Sequence, residues 1–199
     1  ESWDREIFSR EFAMNFLRNN FQNEKFILSD IDEIPSISQV QEILTTPGLF
    51  HFKTPTYYRK INWALRDNHS NWSRGVAGEV SKAIYPNGAR FTKSLPVISK
   101  NPGAHLSYLA FDAQKLEKKL LSFAHTEFTD ASKDARLIID MSDEYGLDHL
   151  GRFFSKGFGL LRVADSSEND VLVKARKYFS DEYFGKVEFK KSLPIRLYK

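Results

Sequence analysis

The 199-residue chain contains no cysteine, which excludes disulfides and thiolate metal sites. Any bound metal therefore has only oxygen and nitrogen ligands to draw on. No apolar run approaches the roughly 20 residues needed to span a bilayer, and no signal-peptide pattern opens the sequence. Excess charge of one sign is also scarce. The net charge of +3 would help attract a diphosphate but is too small to argue for nucleic acid. Internal repeats, low-complexity segments and linker-like stretches are missing, so residues 1–199 read as a single domain.

What is present is a globular composition: 41% hydrophobic and 14% aromatic residues, with 17 phenylalanines to build a core and clefts. The most informative stretch runs from Phe26 to Ser36. Phe26-Ile27-Leu28 reads as a short buried strand, followed at once by Asp30, Asp32 and Glu33. If the strand continues, side-chain alternation turns Asp30 and Asp32 to one face and Ile31 back into the core. Two carboxylates that close favour a hard divalent cation, Mn²⁺ or Mg²⁺. Pro35 interrupts the ladder, and Ser36 with Gln39 offers a capping box for a new helix. The acids then lie at a strand exit, where α/β proteins place ligands. The plainer alternative is an acidic turn, because Asp and Glu suit turns and helix N-termini.

Around this stretch the pattern alternates helix and strand. Residues 4–21 predict an amphipathic helix whose apolar face carries Phe8, Phe12 and Phe16 with Met14, Leu17 and Phe21. A short helix is expected from Ser36 to Thr45, ended by Pro47-Gly48. The segment from Leu49 to Leu65 is rich in strand formers and is divided by Pro55. Further strands are expected over 75–84, 95–99 and 104–110, the last carrying His105 and Ser107 on one face. Asp112 is positioned to cap a helix over 113–121, with Lys115, Lys118 and Lys119 on its solvated side. Two more helices are expected over 133–145, closed by Gly146, and over 168–179.

Three stretches carry a family resemblance. Ser29-Asp30-Ile31-Asp32-Glu33-Ile34-Pro35 closely resembles the DxD-containing stretch of family 17 glycosyltransferases, the family of the bisecting N-acetylglucosaminyltransferase. Gly103-Ala104-His105-Leu106-Ser107-Tyr108 and the run from Lys119 to Glu127 resemble that family's later motifs, in the same order. Tyr57–Trp63, Gly151-Arg152-Phe153 and Ser192-Leu193-Pro194 are similar to shorter family stretches. The family usually has a large aromatic where Ala104 stands, a departure on the acceptor side. Its Golgi relatives carry cysteines, so this chain looks bacterial or viral and cytoplasmic.

The resemblance implies an α/β, GT-A-like fold: a mixed sheet flanked by helices. It also implies that the upstream strands, including the one that receives the nucleotide, precede this sequence. The strand before Asp30 would then be central, and without its neighbours the chain would self-associate through a sheet edge or pair with a separate upstream polypeptide. The implied activity is inverting transfer of a sugar, N-acetylglucosamine, from a UDP-sugar donor to a glycan acceptor.

In that reading Asp30, Asp32 and His125 hold Mn²⁺ or Mg²⁺, and Arg5, Arg10, Asp30 and Glu33 bind the donor. Tyr58, Trp63 and Ser107 meet the acceptor, and Glu127, or in second place His105, takes the acceptor's proton. Each has a plainer alternative: core packing for the aromatics, solvated helix charge for the arginines, a helix-end residue for His125 and a cap or ion pair for Glu127. Two competing functions follow from the same residues. One is a sugar-binding remnant without turnover. The other is a metal-dependent phosphodiesterase or nuclease using Asp30, Asp32 and Glu33, although no basic–aromatic nucleic-acid motif accompanies them.

Overall fold

A computed structural model of the chain describes residues 2–65, 74–83, 90, 94–98, 100–109, 112–122, 126–147, 161–165, 169–185 and 188–189. Of the sequence expectations, His125, the aromatic Phe123 and the stretches 151–153 and 192–194 lie outside these residues, and Glu127 is described in its backbone alone.

Two mixed sheets, flanked by helices, replace the single sheet expected. The first has strand order β1-β6-β3-β7 and is built from β1 (Lys25–Leu28), β3 (Leu49–Lys53), β6 (Arg74–Glu79) and β7 (Val97–Ile98). Its pairs are antiparallel except β3 with β7. The second has order β2-β8-β4-β5-β9, from β2 (Glu33–Ile34), β4 (Thr56–Tyr58), β5 (Trp63–Leu65), β8 (Ala104–Ser107) and β9 (Leu161–Val163). Here β4 and β8 run parallel and the rest antiparallel.

Along the described strands the chain passes from the first sheet to the second three times, after β1, β3 and β7, and the first two passages have a chemical cause. Between β3 and β4, Pro55 has no N–H to continue a ladder, and its carbonyl accepts from the His105 N–H at 2.9 Å. Between β1 and β2, the backbone closes a turn in which the Glu33 N–H donates to the Asp30 carbonyl at 2.9 Å. Asp30 and Asp32 therefore sit on the hinge between the sheets rather than along a strand, and Glu33 opens β2.

Helix ends follow their capping chemistry. Helix α1 spans Ser2–Asn20. In α2 (Ile37–Thr45) the Ser36 hydroxyl accepts from the Gln39 N–H at 3.1 Å, and the Gln39 side chain accepts from the Ser36 N–H at 3.0 Å. Asp112 caps α3 (Ala113–Ser122) by accepting from the Lys115 N–H. A 3₁₀ segment, Thr126–Asp134, leads into α4 (Ala135–Tyr145), which ends on Gly146 in the left-handed conformation. Asn169 caps α5 (Asp170–Tyr178) through Val171.

Each sheet has its own core. Met14 of α1 packs with Phe26, Val76, Val80 and Ala83, and Ile43 of α2 packs with Phe50, Phe52, Ala77 and Ile98. On the second sheet, Leu116, Leu120 and Ile139 of α3 and α4 cover Tyr58, Trp63 and Tyr108, while Leu172 and Ala175 of α5 cover Tyr57, Ile61 and Ala104. Gly75 makes the Phe52 packing possible, since a Cβ there would lie 1.9 Å from the Phe52 ring. Gly75→Ala is therefore expected to destabilise the fold by about 1–3 kcal/mol, read as a lower Tm in a thermal melt.

Several sequence expectations are corrected. The stretch Phe26–Leu28 reads as a buried strand, but of the residues of β1, an edge strand paired only with β6 in the described sheet, only Phe26 is buried. Ile31 is fully exposed, because the turn points it outward instead of returning it to the core. Phe8, Phe12 and Phe16 lie on the outer side of α1, while Met14, two residues from each of the last two, faces inward.

A candidate active-site cleft

An open cleft of about 790 Å³ lies where α1, the acidic turn, β8 and α3 meet. Its wall carries Arg5, Glu6, Ser9 and Arg10 from α1, Ser29 to Asp32 from the turn, His105, Ser107 and Tyr108 from β8 and its exit, and Lys119 and Ser122 from α3. Residues separated by more than 100 positions thus face one space.

The acidic turn is held from behind by two guanidinium groups. Arg90 donates to both oxygens of Asp30, at 2.9 and 2.7 Å, and to Glu33 Oε1 at 2.7 Å. Arg10 donates to Asp30 Oδ1 at 2.9 Å, and the Asp30 N–H donates to Glu33 Oε2 at 3.1 Å. Burial acts to raise the Asp30 carboxyl, but the charge and hydrogen bonds of Arg90 and Arg10 outweigh it and hold Asp30 below the usual carboxylate range. Glu33 is almost fully buried. Burial dominates there and, with the charge of Asp30, pushes its carboxyl up against the opposing pull of Arg90.

Asp32 is the carboxylate left facing the cleft. Its Oδ2 lies 3.4 Å from His105 Nε2, with both side chains partly exposed. Burial again acts upward, but the hydrogen bond and charge of His105 lower the Asp32 carboxyl overall. β2 and β8 fix this pair, because Glu33 stands opposite His105 in the ladder and Leu106 donates to the Asp32 carbonyl at 2.8 Å. Across the cleft the Lys119 ammonium lies over the Tyr108 ring, 5.3 Å from its centre. Tyr108 and Arg59, at the ends of the parallel strands β8 and β4, both have positive φ, 55° and 59°. Left-handed backbone at non-glycine residues costs about 1–3 kcal/mol each, and such positions gather at functional sites.

Of the residues singled out from the sequence, Arg5, Arg10, Asp30, Asp32, His105 and Ser107 line this cleft. Three others do not. Glu33 points inward to Arg90, with no surface left for a donor. Tyr58 and Trp63 are buried in the core of the second sheet, because β4 and β5 are covered on that face by α3 and α4. Two residues of the site, Lys119 on the cleft wall and Arg90 behind the acidic turn, are not expected from the sequence. Lys119 belongs to a lysine-rich helix face that looks merely solvated, and Arg90 lies in no pattern at all.

The expected metal set fits only in part. Asp30 is already engaged by three guanidinium N–H groups, two on Oδ1 and one on Oδ2, so a cation would have to compete with Arg10 and Arg90 for it. Asp32 does fit: it is ionised, faces the cleft and has an oxygen turned away from His105. Among the described residues no group of three or more His, Asp or Glu side chains gathers as a ready-made metal site. Also among them, no helix is long and apolar enough to cross a membrane. Neither protein-family models, nor curated proteins, nor solved structures contain a match to this chain.

Proposed function

We propose that the cleft transfers a sugar from a nucleotide-sugar, UDP-N-acetylglucosamine in the first instance, to a hydroxyl of a glycan acceptor, on a GT-A-like fold. One observation carries the reading. The two stretches that most resemble family 17 glycosyltransferases, Ser29–Pro35 and Gly103–Tyr108, meet in one cleft with Arg5, Arg10 and Lys119.

The chemistry has two needs, and the cleft has groups for both. As the sugar–phosphate bond breaks, negative charge grows on the departing diphosphate. Arg5 and Lys119, on opposite walls, offer cationic donors to it, and Arg10 adds a third from beside Asp30. A divalent cation held by Asp32 would offset the same charge as a Lewis acid. As the acceptor hydroxyl attacks the anomeric carbon, its proton must leave. His105, on the cleft wall, is the base that would take it, and Asp32 orients its ring. The displaced diphosphate leaves with the bonding electrons, so a single displacement inverts the anomeric centre.

The test is a thermal melt and a UDP-release assay on the full chain with UDP-N-acetylglucosamine and Mn²⁺. A ligand that binds only the folded state raises Tm by mass action, by the equivalent of about 2.7 kcal/mol at 100 times its Kd. A rise in Tm with release of UDP is the expected result. A rise without release would favour the sugar-binding remnant. Cleavage of nucleic acid without any sugar requirement would favour the phosphodiesterase.

A further inference from the structure

Helix α1 is apolar on two sides, but the described structure covers one. Its inner side seats Met14 and Leu17 on the first sheet, and Arg18 donates to the Ala83 carbonyl at 3.0 Å. On the outer side Phe8, Phe12 and Phe16 are 69, 66 and 56% exposed, and Phe21 continues the stripe at 45%. The rings already associate. Those of Phe8 and Phe12 stack at 6.1 Å, and those of Phe16 and Phe21 approach to 6.0 Å. A helix that is apolar on opposite sides belongs between two partners.

We propose that a second copy of this chain covers the stripe, through an antiparallel α1–α1 pairing about a two-fold axis at Phe12. Three features of the helix favour a copy over an unrelated partner. First, the spacing is palindromic. With Phe12 on the axis, residue i of one copy faces residue 24 − i of the other, so Phe8 meets the second copy's Phe16 and Phe12 meets its own counterpart. A self-complementary patch of this kind is what an isologous interface requires. Second, the flanks are compatible in the same register. Arg5 faces Asn19, Ser9 faces Asn15 and Glu11 faces Ala13, so no like charges are opposed. Third, the area is adequate. Aromatic side chains present about 150–250 Å² each, so these four rings at their observed exposure contribute roughly 450 Å². With the flanking side chains the helix face approaches the ~800 Å² per partner of a standard interface. The inference is independent of the reaction proposed above, although Arg5 and Ser9 put the same helix at the cleft wall.

Sedimentation equilibrium of the full chain over a hundredfold concentration range is the direct experiment. The expected species has twice the 23.1 kDa chain mass. Phe12→Glu places two carboxylates across the axis and should raise the dimer Kd at least a hundredfold. Because Phe12 is exposed, the variant should keep its fold, checked by an unchanged far-UV circular dichroism spectrum. The absence of native cysteine allows a second reading. Under oxidation Phe12→Cys should crosslink to a dimer, while Leu44→Cys on the exposed side of α2 should not. A chain that stays monomeric throughout would overturn the proposal. So would a dimer broken by Ile27→Lys on the β1 edge but not by Phe12→Glu, or a monomer that instead binds phospholipid vesicles through α1.

Discussion

Replacing Arg90 with methionine is expected to lower the unfolding free energy by about 3–5 kcal/mol at neutral pH, the usual cost of removing one partner from a buried ion pair. Methionine keeps much of the length and apolar bulk but donates nothing. Asp30 would keep Arg10, whereas Glu33 would keep only the Asp30 N–H, inside a site that is almost dry. The loss should also depend on pH, with a sign fixed by Glu33. Its carboxyl already lies above the ordinary value because of burial and the charge of Asp30, and removing Arg90 pushes it higher. A carboxyl raised on folding weakens the fold at neutral pH, and that penalty disappears as pH falls through the folded value toward the unfolded one. The gap between parent and variant should therefore narrow from pH 7.5 to pH 5.5 in urea titrations. Adding Glu33→Gln to Arg90→Met should recover part of the loss at neutral pH. A gap that does not change with pH would mean that Arg90 acts by packing alone.

The parent's own acid limit follows from the neighbouring acids. Asp30 and Asp32 are both held below the usual carboxylate range, so each stabilises the fold above its unfolded value. That stabilisation is lost as pH falls through the lower folded values, which puts the acid decline of the parent below about pH 4. Glu33 works the other way over the window above it. The acidic turn is thus a balance of two stabilising carboxylates and one that burial penalises, with Arg90 coupling Asp30 to Glu33.

Local chemistry was legible in the sequence, and partners distant in sequence were not. The capping box at Ser36 and Gln39, the Asp112 cap and the Gly146 stop each depend on residues within a turn of one another, and all three form. Read from the sequence, the apolar residues of α1 gather on one face, whereas Phe8, Phe12 and Phe16 lie opposite Met14 and Leu17. Met14 wins because it meets Phe26, Val76 and Val80, which lie 12 to 66 positions away. The Asp30–Asp32 spacing suggests strand alternation, but the Glu33-to-Asp30 hydrogen bond closes a turn and sends Ile31 outward. Aromatic richness in Tyr57–Trp63 is equally compatible with a sugar platform and with a core, and the covering helices decide for the core. Arg90 shows the limit best. Its two carboxylate partners lie 60 and 57 positions away, and nothing adjacent to it in sequence announces them.

Replacing Asp32 with asparagine is expected to lower kcat for sugar transfer by about a hundredfold or more, the usual contribution of a positioned proton acceptor. The amide keeps the volume and removes the charge that faces His105 across 3.4 Å. Because Asp32 is about one-third exposed and outside the Arg90 network, the fold should change by less than about 1 kcal/mol. His105→Gln should produce a loss of similar size with little change in KM for the donor, since the groups offered to the diphosphate are Arg5, Arg10 and Lys119. The two substitutions should not add. If Asp32 acts on the proton through His105, the double variant should be no slower than the slower single one, as for residues that work as a unit. A manganese titration separates the second role proposed for Asp32. Loss of a metal ligand should raise the Mn²⁺ concentration needed for half-maximal rate in Asp32→Asn and leave it unchanged in His105→Gln. Additive losses in kcat would show that the pair does not act together, and the proton would then need another acceptor.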